Sequence, residues 1–510
     1  MLWLALHLPL LSLEAFCATL APETRRRPVV LIGQHRVAAV DTAAAACGVR
    51  PGMKRATALA LAADLLVADS QAARDAAALQ AVAHAALAYT PAVTLHDAQT
   101  VLLEVQASLR LFGGLAALRR RLADALAPLG HRVQMAAAPT ALGAALLALW
   151  HPAEHGDLVL GAHAQHLPAL QRLLSLAPVG LLGCAREHGE ALQGMGLHTL
   201  CDLRRLPRAG LARRFGAGLL DEIDRAFADQ PDPRRWVELP AVFETRIELF
   251  ARAENSDQVL AGATVLLARL VAWAQARQAR VGAFTLRMEH EPRHRQTAAA
   301  ATELRVELAV PALDAAHLQL LLRERLGRVQ LAAPTLELQL RCRHLVAGPA
   351  PSGELFPTRA SEAEGLLRLL ERLRARLGDE QVQRLLPVAD HRPEHASRSV
   401  PAQGSVPTTA AAAAAAAAQA PSALPHHRPA WLLPEPLPLA ERGALPLLEG
   451  RPLQLVSGPE RIEAGWWDGT PAVRDYFIAL AEDGSLVWVW RSRLPAAAGD
   501  AGWFLQGRFA

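Results

Sequence analysis

The N-terminal part of the chain alternates short apolar runs with segments of helical periodicity. The apolar runs predict strands at 2–8, 28–40 (two strands around Gly33), 100–105 and 132–137. The helical periodicity predicts helices at 56–63, 74–89 and 115–127. This mixed order favours an α+β layer in which a mixed sheet carries its helices on one side.

The pattern then changes twice along the chain. Residues 178–233 have helical periodicity throughout, with glycine-marked turns. Between 239 and 346, apolar and polar residues alternate, as in Leu336, Leu338 and Leu340 with polar residues between them. Such alternation is typical of half-buried strands. Helices predicted at 258–278 and 314–325 separate the strands, so a sheet covered by two helices is the simplest arrangement.

The C-terminal third contains a helix, a compositional linker and a tryptophan-rich tail. Residues 366–377 predict an amphipathic, arginine-rich helix. Residues 397–428 combine Pro, Ser and Gln with an alanine run, Ala410–Ala418, which is typical of a linker. The segment after Arg428 holds six of the ten tryptophans, which indicates a small β-module or a partner-binding surface.

Composition narrows the class of protein. The chain of 510 residues is 52% hydrophobic, enough for several domains with cores of their own. Its formal charge of +4 permits nucleic-acid binding without requiring it. Lys54 is the only lysine. Phosphate contacts would therefore come from arginine, although codon usage in a GC-rich genome also explains the bias.

The cysteines and the N-terminus bear on the compartment. The five cysteines include no C-x-x-C pair and no zinc spacing, which favours a reducing cytoplasm without disulfides or metal. The apolar N-terminus lacks a basic residue before Arg25, so we expect neither a signal peptide nor a membrane protein.

Several motifs, in order, resemble those of the Y-family (lesion-bypass) DNA polymerases. Val37–Met53, which ends in Gly48-Val49-Arg50-Pro51-Gly52-Met53, is similar to the fingers of that family. Leu102–Val105 with Leu111–Gly113 resembles a palm strand and the turn after it. Residues 178–202 resemble the thumb's helix-hairpin-helix, and 239–346 resemble the little-finger domain. Each motif alone is weak, but their order and spacing are specific over roughly two thirds of the chain.

The resemblance implies an α+β, right-hand polymerase-like body followed by a C-terminal tail module. The expected domains are 1–165 (palm and fingers), 166–236 (thumb with helix-hairpin-helix), 239–348 (little finger), 349–396 (clamp-motif segment and helix), 397–428 (linker) and 429–510 (partner-binding module).

The resemblance also implies that the catalytic positions have been lost. The family's metal-binding acids on its first and second palm strands correspond to Ala5, His7, Gln99 and Thr100. Its triphosphate-gripping Tyr and Arg correspond to Thr42 and Ala45, and no lysine is present in the palm. We therefore expect no catalytic residue, metal or cofactor. The alternative is an active translesion polymerase that uses the displaced acids Asp97 and Glu104, which lie out of register.

The DNA-binding parts are better preserved. The hairpin Gly183-Cys184-Ala185-Arg186 would offer backbone N–H groups and one charge to a phosphate; the alternative is a plain helical turn. Arg287, Arg341 and Arg343 would lie on the outer face of the little-finger strands; the alternative is a solvated strand face. These residues predict sequence-independent binding to primer-template or single-stranded DNA. A protein-interaction scaffold without DNA contact is a third possibility.

Phrases in the tail resemble a non-catalytic, mutagenesis-associated branch of the family. They are 428–436, 458–468, 474–477 and 503–505. This resemblance implies a damage-induced (SOS) mutagenesis hub with three protein partners: the sliding clamp, a RecA-like protein and an error-prone C-family polymerase. The clamp-binding candidate is Ser352–Pro357, where Leu355 and Phe356 would enter an apolar pocket. The usual leading glutamine is absent, and a plain loop is the alternative.

Aromatic residues are the predicted partner contacts in the tail. Trp466 and Trp467 lie between glycines, in a turn context that favours exposure. Together with Tyr476, they are the predicted partner-binding residues. Trp488 and Trp490 would share one strand face, and the alternative for that face is the core of a small domain.

Overall fold

The computed structural model describes residues 1–150, 158–291, 300–348, 359–402, 428–429, 431–493 and 502–509. It divides into two compact units, Met1–Pro357 and Thr358–Ala510. The clamp-motif candidates Leu355 and Phe356, and most of the predicted linker, lie outside the described residues.

The helices alternate with strands in the first half of the chain and become sparse in the second. They are α1 Leu11–Cys17, α2 Thr42–Ala46, α3 Arg55–Leu61, α4 Ala72–Leu87, α5 Leu109–Phe112, α6 Leu115–Leu126, α7 Ala141–Trp150, α8 Leu167–Leu176, α9 Gly183–Arg186, α10 Gly189–Gly194, α11 Leu200–Arg204, α12 Arg208–Phe215, α13 Ala217–Phe227, α14 Ser256–Ala276, α15 Ala315–Leu326 and α16 Arg359–Leu377.

In the part of the chain that the structure describes, the strands form five sheets. They are β1 Trp3–His7, β2 Val29–Gly33, β3 Arg36–Val40, β4 Leu66–Asp69, β5 Val93–Leu95, β6 Thr100–Glu104, β7 Val133–Ala138, β8 Leu158–His163, β9 Phe243–Ala253, β10 Ala279–His290, β11 Ala301–Ala312, β12 Thr335–Ala347, β13 Gln383–Pro387, β14 Ser397–Pro401, β15 Trp431–Arg442, β16 Leu445–Leu448, β17 Arg451–Pro452, β18 Gln454–Ala464, β19 Ala472–Leu480, β20 Leu486–Ser492 and β21 Trp503–Arg508.

The palm-like sheet has the order β5-β6-β1-β7-β8, with β1 at its centre. Because side chains alternate along a strand, Leu4 and Leu6 of β1 pack into the core that includes α4 and α6, while Ala5 packs into the core that includes α7. Helices therefore cover both faces. The expectation of helices on one side was wrong, because α7 is apolar around its whole circumference and must be buried.

The fingers-like part is formed by residues between β1 and β5, and the thumb-like part by residues after β8. Helices α2 and α3 pack on a small sheet of order β3-β2-β4, and the turn between the two helices holds Gly48 and Gly52 at positive φ. The thumb is helical from α8 to α13, and its apolar residues belong to the core that also includes α7. Helices α12 and α13 are joined at Gly216, whose φ of +86° favours glycine.

The little-finger-like sheet has the order β11-β10-β12-β9, with α14 and α15 packed on it. This confirms the predicted sheet with two helices. By length and composition alone, helix α14 could cross a membrane, but 67% of its apolar stretch is buried inside the protein. It also packs on α4 of the palm, where Ala268 and Ala272 enter the palm core.

The second unit is built around a seven-stranded sheet of order β17-β16-β15-β21-β20-β19-β18. Both faces carry apolar clusters: Val487 and Val489 on one, Trp488 and Trp490 on the other. The hairpin β13–β14 precedes this sheet in the chain, so residues 397–401, expected to open the linker, form a strand instead. The pairing of β14 with β13 was missed because 397–401 lacks an apolar alternation.

Candidate functional site: the palm and its nucleic-acid interface

The palm site lies where β1 is flanked by β6 and β7. Strand register sets Ala5 opposite Leu102 and Ala136, and His7 opposite Thr100 and Gln134. Ala5 is fully buried, so the first expected carboxylate position is filled by a methyl group in the apolar core. Gln99 lies in the turn before β6, where its backbone N–H donates to Asp97.

His7 and Thr100 form the polar centre of this site. His7 Nδ1 lies 3.0 Å from Thr100 Oγ1, and both residues are buried. Burial lowers the pKa of His7, the nearby charge of Arg186 lowers it further, and Asp97 opposes both. The imidazole is therefore neutral at pH 7, and its Nδ1 can either donate a hydrogen bond to the threonine hydroxyl or accept one from it. Uncharged groups thus occupy the positions where metal-binding acids were sought.

The displaced acids do not converge. Glu104 pairs with Trp3 at one end of the β1–β6 strand pair, whereas Asp97 lies in the turn before β6, beyond the other end. Four residues of strand separate those ends by about 13 Å, whereas paired catalytic metals lie about 4 Å apart. Asp97 caps its own turn, and Glu104 accepts from the backbone N–H of Gln106. Among the described residues, no group of three or more His, Cys, Asp or Glu side chains could hold a metal ion.

The predicted hairpin in the thumb has a helical conformation in the structure. Gly183, Cys184, Ala185 and Arg186 form the short helix α9 rather than an open turn, and Ala185 is buried. The backbone N–H of Cys184 donates to the Glu222 carboxylate at 3.2 Å. That donor is therefore occupied inside the protein, and the expectation that it faces a phosphate is corrected. Arg186 remains exposed.

The glycine turn that joins α12 to α13 was predicted from the sequence, but the basic residues beside it were missed. Gly216 joins α12 to α13, it and the first two residues of α13 are exposed, and Arg213 and Arg214 precede it. Neither arginine forms an ion pair with any described residue. Helix α13 starts without a side-chain cap, so its first N–H groups and these charges suit a phosphate. The run Arg213-Arg214-Phe215-Gly216 was the available signal.

The two thumb segments are neighbours. A Cβ added to Gly218 would lie 3.3 Å from Cys184 Sγ, and one added to Gly183 would lie 3.1 Å from Glu222 Oε1. The start of α13 therefore packs on α9, close enough that only small residues fit. Arg186 on α9 and the Arg213–Arg214 pair before α13 therefore lie on neighbouring thumb segments, and we call these three exposed arginines the thumb surface.

The outer face of the little-finger sheet carries the predicted arginines, but it is not uniformly basic. Arg341 of β12 and Arg305 of β11 lie on either side of Thr285 of β10. Arg287 lies two residues further along β10. Arg287 pairs with Glu289 and Glu303, and Arg341 pairs with Glu244 at 3.1 Å. Arg343 forms no ion pair with any described residue. Most of the positive charge on this face is thus already neutralised.

The second unit contains an exposed pair of tryptophans and, separately, a buried cluster of aromatic residues. Trp466 is 74% and Trp467 is 55% exposed, and their rings meet edge to face at 4.6 Å. Their predicted exposure is confirmed. Tyr476 is 1% exposed, stacks on Trp488 at 4.2 Å and donates to Gln506. The expectation that Tyr476 contacts a partner was wrong, because the face it shares with Trp488 and Trp490 is core.

Arg392 organises the exposed tryptophan turn and was not predicted. Its guanidinium bonds Asp468 at 2.6 Å and the Thr470 hydroxyl at 2.7 Å, and it lies 5.5 Å from the Trp467 ring centre. These bonds hold the pKa of the Asp468 carboxyl well below its usual range. Gly465 allows this close approach, since a Cβ there would meet Thr470 O at 2.3 Å. The turn is therefore a preorganised surface feature.

Comparisons with known proteins show which family, relatives and solved structures this chain is similar to. Residues 11–148 match the impB/mucB/samB family. The chain is 30% identical over 485 residues to Protein ImuB of Caulobacter vibrioides, in strains NA1000 / CB15N and ATCC 19089, covering 91% of this chain and all of the relative. Solved structures include a Dbh ternary complex (TM-score 0.37) and DinB from Sulfolobus solfataricus (TM-score 0.36), each at 15% identity and 68% coverage of this chain and 100% of theirs.

Proposed function

The chain belongs to the ImuB family of polymerase-like mutagenesis proteins, and from this premise we propose that it is a non-catalytic DNA-binding adaptor of damage-induced translesion synthesis. The single observation that supports this most is the palm centre. Neutral His7 and Thr100 lie at positions where the resemblance implies acids, on adjacent strands of a complete five-stranded sheet. The primer-extension experiment in the Discussion tests it.

The proposed partners follow the resemblance. They are the sliding clamp, an ImuA-like RecA-related protein and an ImuC-like error-prone C-family polymerase, which would meet on DNA held by this chain in the cytoplasm as part of the SOS response. The exposed Trp466–Trp467 turn supports a protein contact in the second unit, because large aromatic side chains dominate interface energies. The second candidate function, an active polymerase, would require Asp97 and Glu104 to converge.

DNA binding is expected to be sequence-independent and to depend mainly on the thumb. Phosphate contacts release counterions, so affinity should fall steeply with salt. The Arg213→Gln/Arg214→Gln pair should lower affinity about tenfold or more and flatten the salt dependence by roughly one to two phosphate contacts. Fluorescence anisotropy with primer-template and single-stranded DNA at several salt concentrations measures both quantities.

Two variants in the little finger provide the comparison for the thumb pair. Arg341→Gln/Arg343→Gln should also weaken binding to all sequences, but less than the thumb pair, because Arg341 already has a carboxylate partner. Arg252→Gln, which removes an exposed arginine bonded to Glu254 and Glu291, should change little. If the Arg213→Gln/Arg214→Gln variant kept the salt dependence of the wild type, that result would contradict the assignment of DNA binding to the thumb.

Clamp binding is expected to depend on Leu355 and Phe356, which lie outside the described residues. Changing both to Ala should abolish retention on a clamp column and leave DNA binding unchanged, because a short extended motif binds through its apolar anchors. Leu385→Ala, which removes a leucine side chain that is 71% exposed, is the matched control. Equal retention of the double variant and the wild type would place the clamp contact elsewhere.

A further inference from the structure

A cavity of about 470 Å³ lies between the palm helix α4 and the little-finger edge strand β9. One wall is a single face of α4 that includes Gln80 and His84, and the other is the chain from Phe243 to Glu248. Its volume is within the usual range for small-molecule sites, roughly 300–1,000 Å³. The cavity shares no residue with the palm site or with the thumb surface.

Arg269 of α14 lines this cavity and is a buried charge without a carboxylate. The residue is only 6% exposed. Its single hydrogen bond to a described residue runs from Nη1 to Thr245 Oγ1, at 3.4 Å. Burial alone lowers the pKa of Arg269 to about 10, so the side chain remains charged at pH 7. Burying a charge is costly unless it is paired and hydrogen-bonded, so an anion is the group this position lacks.

The other basic groups around the cavity have a carboxylate partner or carry no charge. Arg74 pairs with Asp75 at 3.3 Å, and Arg246 lies 4.0 Å from Glu337. Burial lowers the pKa of His84 to about 4, so its ring is neutral and can exchange hydrogen bonds with a ligand. Among the described residues that line the cavity, Arg269 is therefore the arginine with no carboxylate partner.

The acids of the cavity limit what the ligand can be. Glu244 is held by Arg341 and Gln339 on the outer face of the sheet. Glu248 lines the cavity and forms no ion pair with a described residue. A nucleic-acid backbone, with one charge per nucleotide, would be repelled there. A ligand with a single anionic end and a neutral polar body would not.

We propose that this cavity binds a small ligand through one terminal oxyanion, a phosphate monoester or a carboxylate, held by Arg269 and Thr245. The planar guanidinium can donate two parallel hydrogen bonds to either group. The polar body of the ligand would lie along Gln80 and His84 and against the open edge of β9, which is the outermost strand of its sheet. The site is separate from the proposed DNA-binding function and can be tested without it.

The test measures binding to the full chain at constant ionic strength. Inorganic phosphate, adenosine 5′-monophosphate and acetate are titrated against sodium chloride, with thermal unfolding and calorimetry as readouts. A ligand that binds the folded state raises the melting temperature saturably, and we expect this from at least one probe. Response to phosphate and the nucleotide, but not acetate, identifies a phosphate monoester, and response to acetate alone identifies a carboxylate.

Two variants at the site and one control complete the test. Arg269→Met should lower affinity at least about tenfold and raise the melting temperature without ligand, because it removes an uncompensated buried charge. Thr245→Val, which keeps the arginine and the side-chain shape, should weaken binding less. Arg119→Met, which removes another buried arginine in α6 away from the cavity, should leave anion binding unchanged. No saturable response to any probe, or equal responses from wild type and Arg269→Met, would overturn the proposal.

Discussion

Purified protein incubated with a primer-template, all four deoxynucleotides and Mg²⁺ or Mn²⁺ is expected to extend no primer. Nucleotidyl transfer requires two metal ions about 4 Å apart, held by convergent carboxylates. The corresponding strand positions hold the buried Ala5, a neutral His7 and Thr100. The expected effect is complete loss of activity relative to an active Y-family polymerase, measured by gel or by single-nucleotide incorporation.

The control for this experiment separates a trace contaminant from the alternative function. The same preparation should bind the primer-template in a mobility-shift assay, which shows that its DNA-binding surface is intact. If extension is seen, Asp97→Asn and Glu104→Gln are assayed in the same way. Extension that disappears in those variants would contradict the account, because it would assign catalysis to the displaced acids.

Replacing Trp466 and Trp467 with alanine is expected to abolish recruitment of at least one partner, the ImuA-like or the ImuC-like protein. Both side chains are exposed, so their removal leaves the fold intact. The turn is preorganised by Arg392 and Asp468, so little conformational entropy is lost on binding. Anchors of this kind contribute about 2 kcal/mol or more to an interface. Pull-down of each purified partner measures the effect.

The matched control for that variant is a buried tryptophan of the same sheet. Trp488→Ala should destabilise the second unit by about 3–5 kcal/mol, as expected when a large core side chain is removed, and should lose binding only together with folding. The Trp466→Ala/Trp467→Ala variant should instead keep the wild-type melting temperature. Full recruitment by this folded double variant would place the partner surface elsewhere.

The parts of the fold that could be predicted are those set by local periodicity. Alternation along β11 and β12 predicted the little-finger strands, and glycines around Trp466 and Trp467 predicted an exposed turn. For Trp488 and Trp490 the pattern predicted a shared face, but it could not decide between core and surface. In a sheet with apolar clusters on both faces, apolar alternation does not identify the solvent side.

The parts that could not be predicted depend on contacts between distant residues. Glu222 occupies the Cys184 amide across 38 residues, and Arg392 reaches Asp468 across 76. Glu244 neutralises Arg341 only because the register of β9 and β12 sets them side by side. No local pattern reveals such pairs, and each one changes which groups remain to bind DNA or a partner.

The most direct test of the adaptor proposal measures retention of the ImuC-like polymerase on clamp-loaded primer-template beads. With the full chain present, we expect the polymerase to stay bound at salt concentrations that remove it from the beads alone. A chain ending at Pro357 keeps the whole first unit and should bind the DNA without retaining the polymerase. Retention without this protein, or equal retention by the truncated chain, would contradict the proposal that the second unit links the error-prone polymerase to DNA.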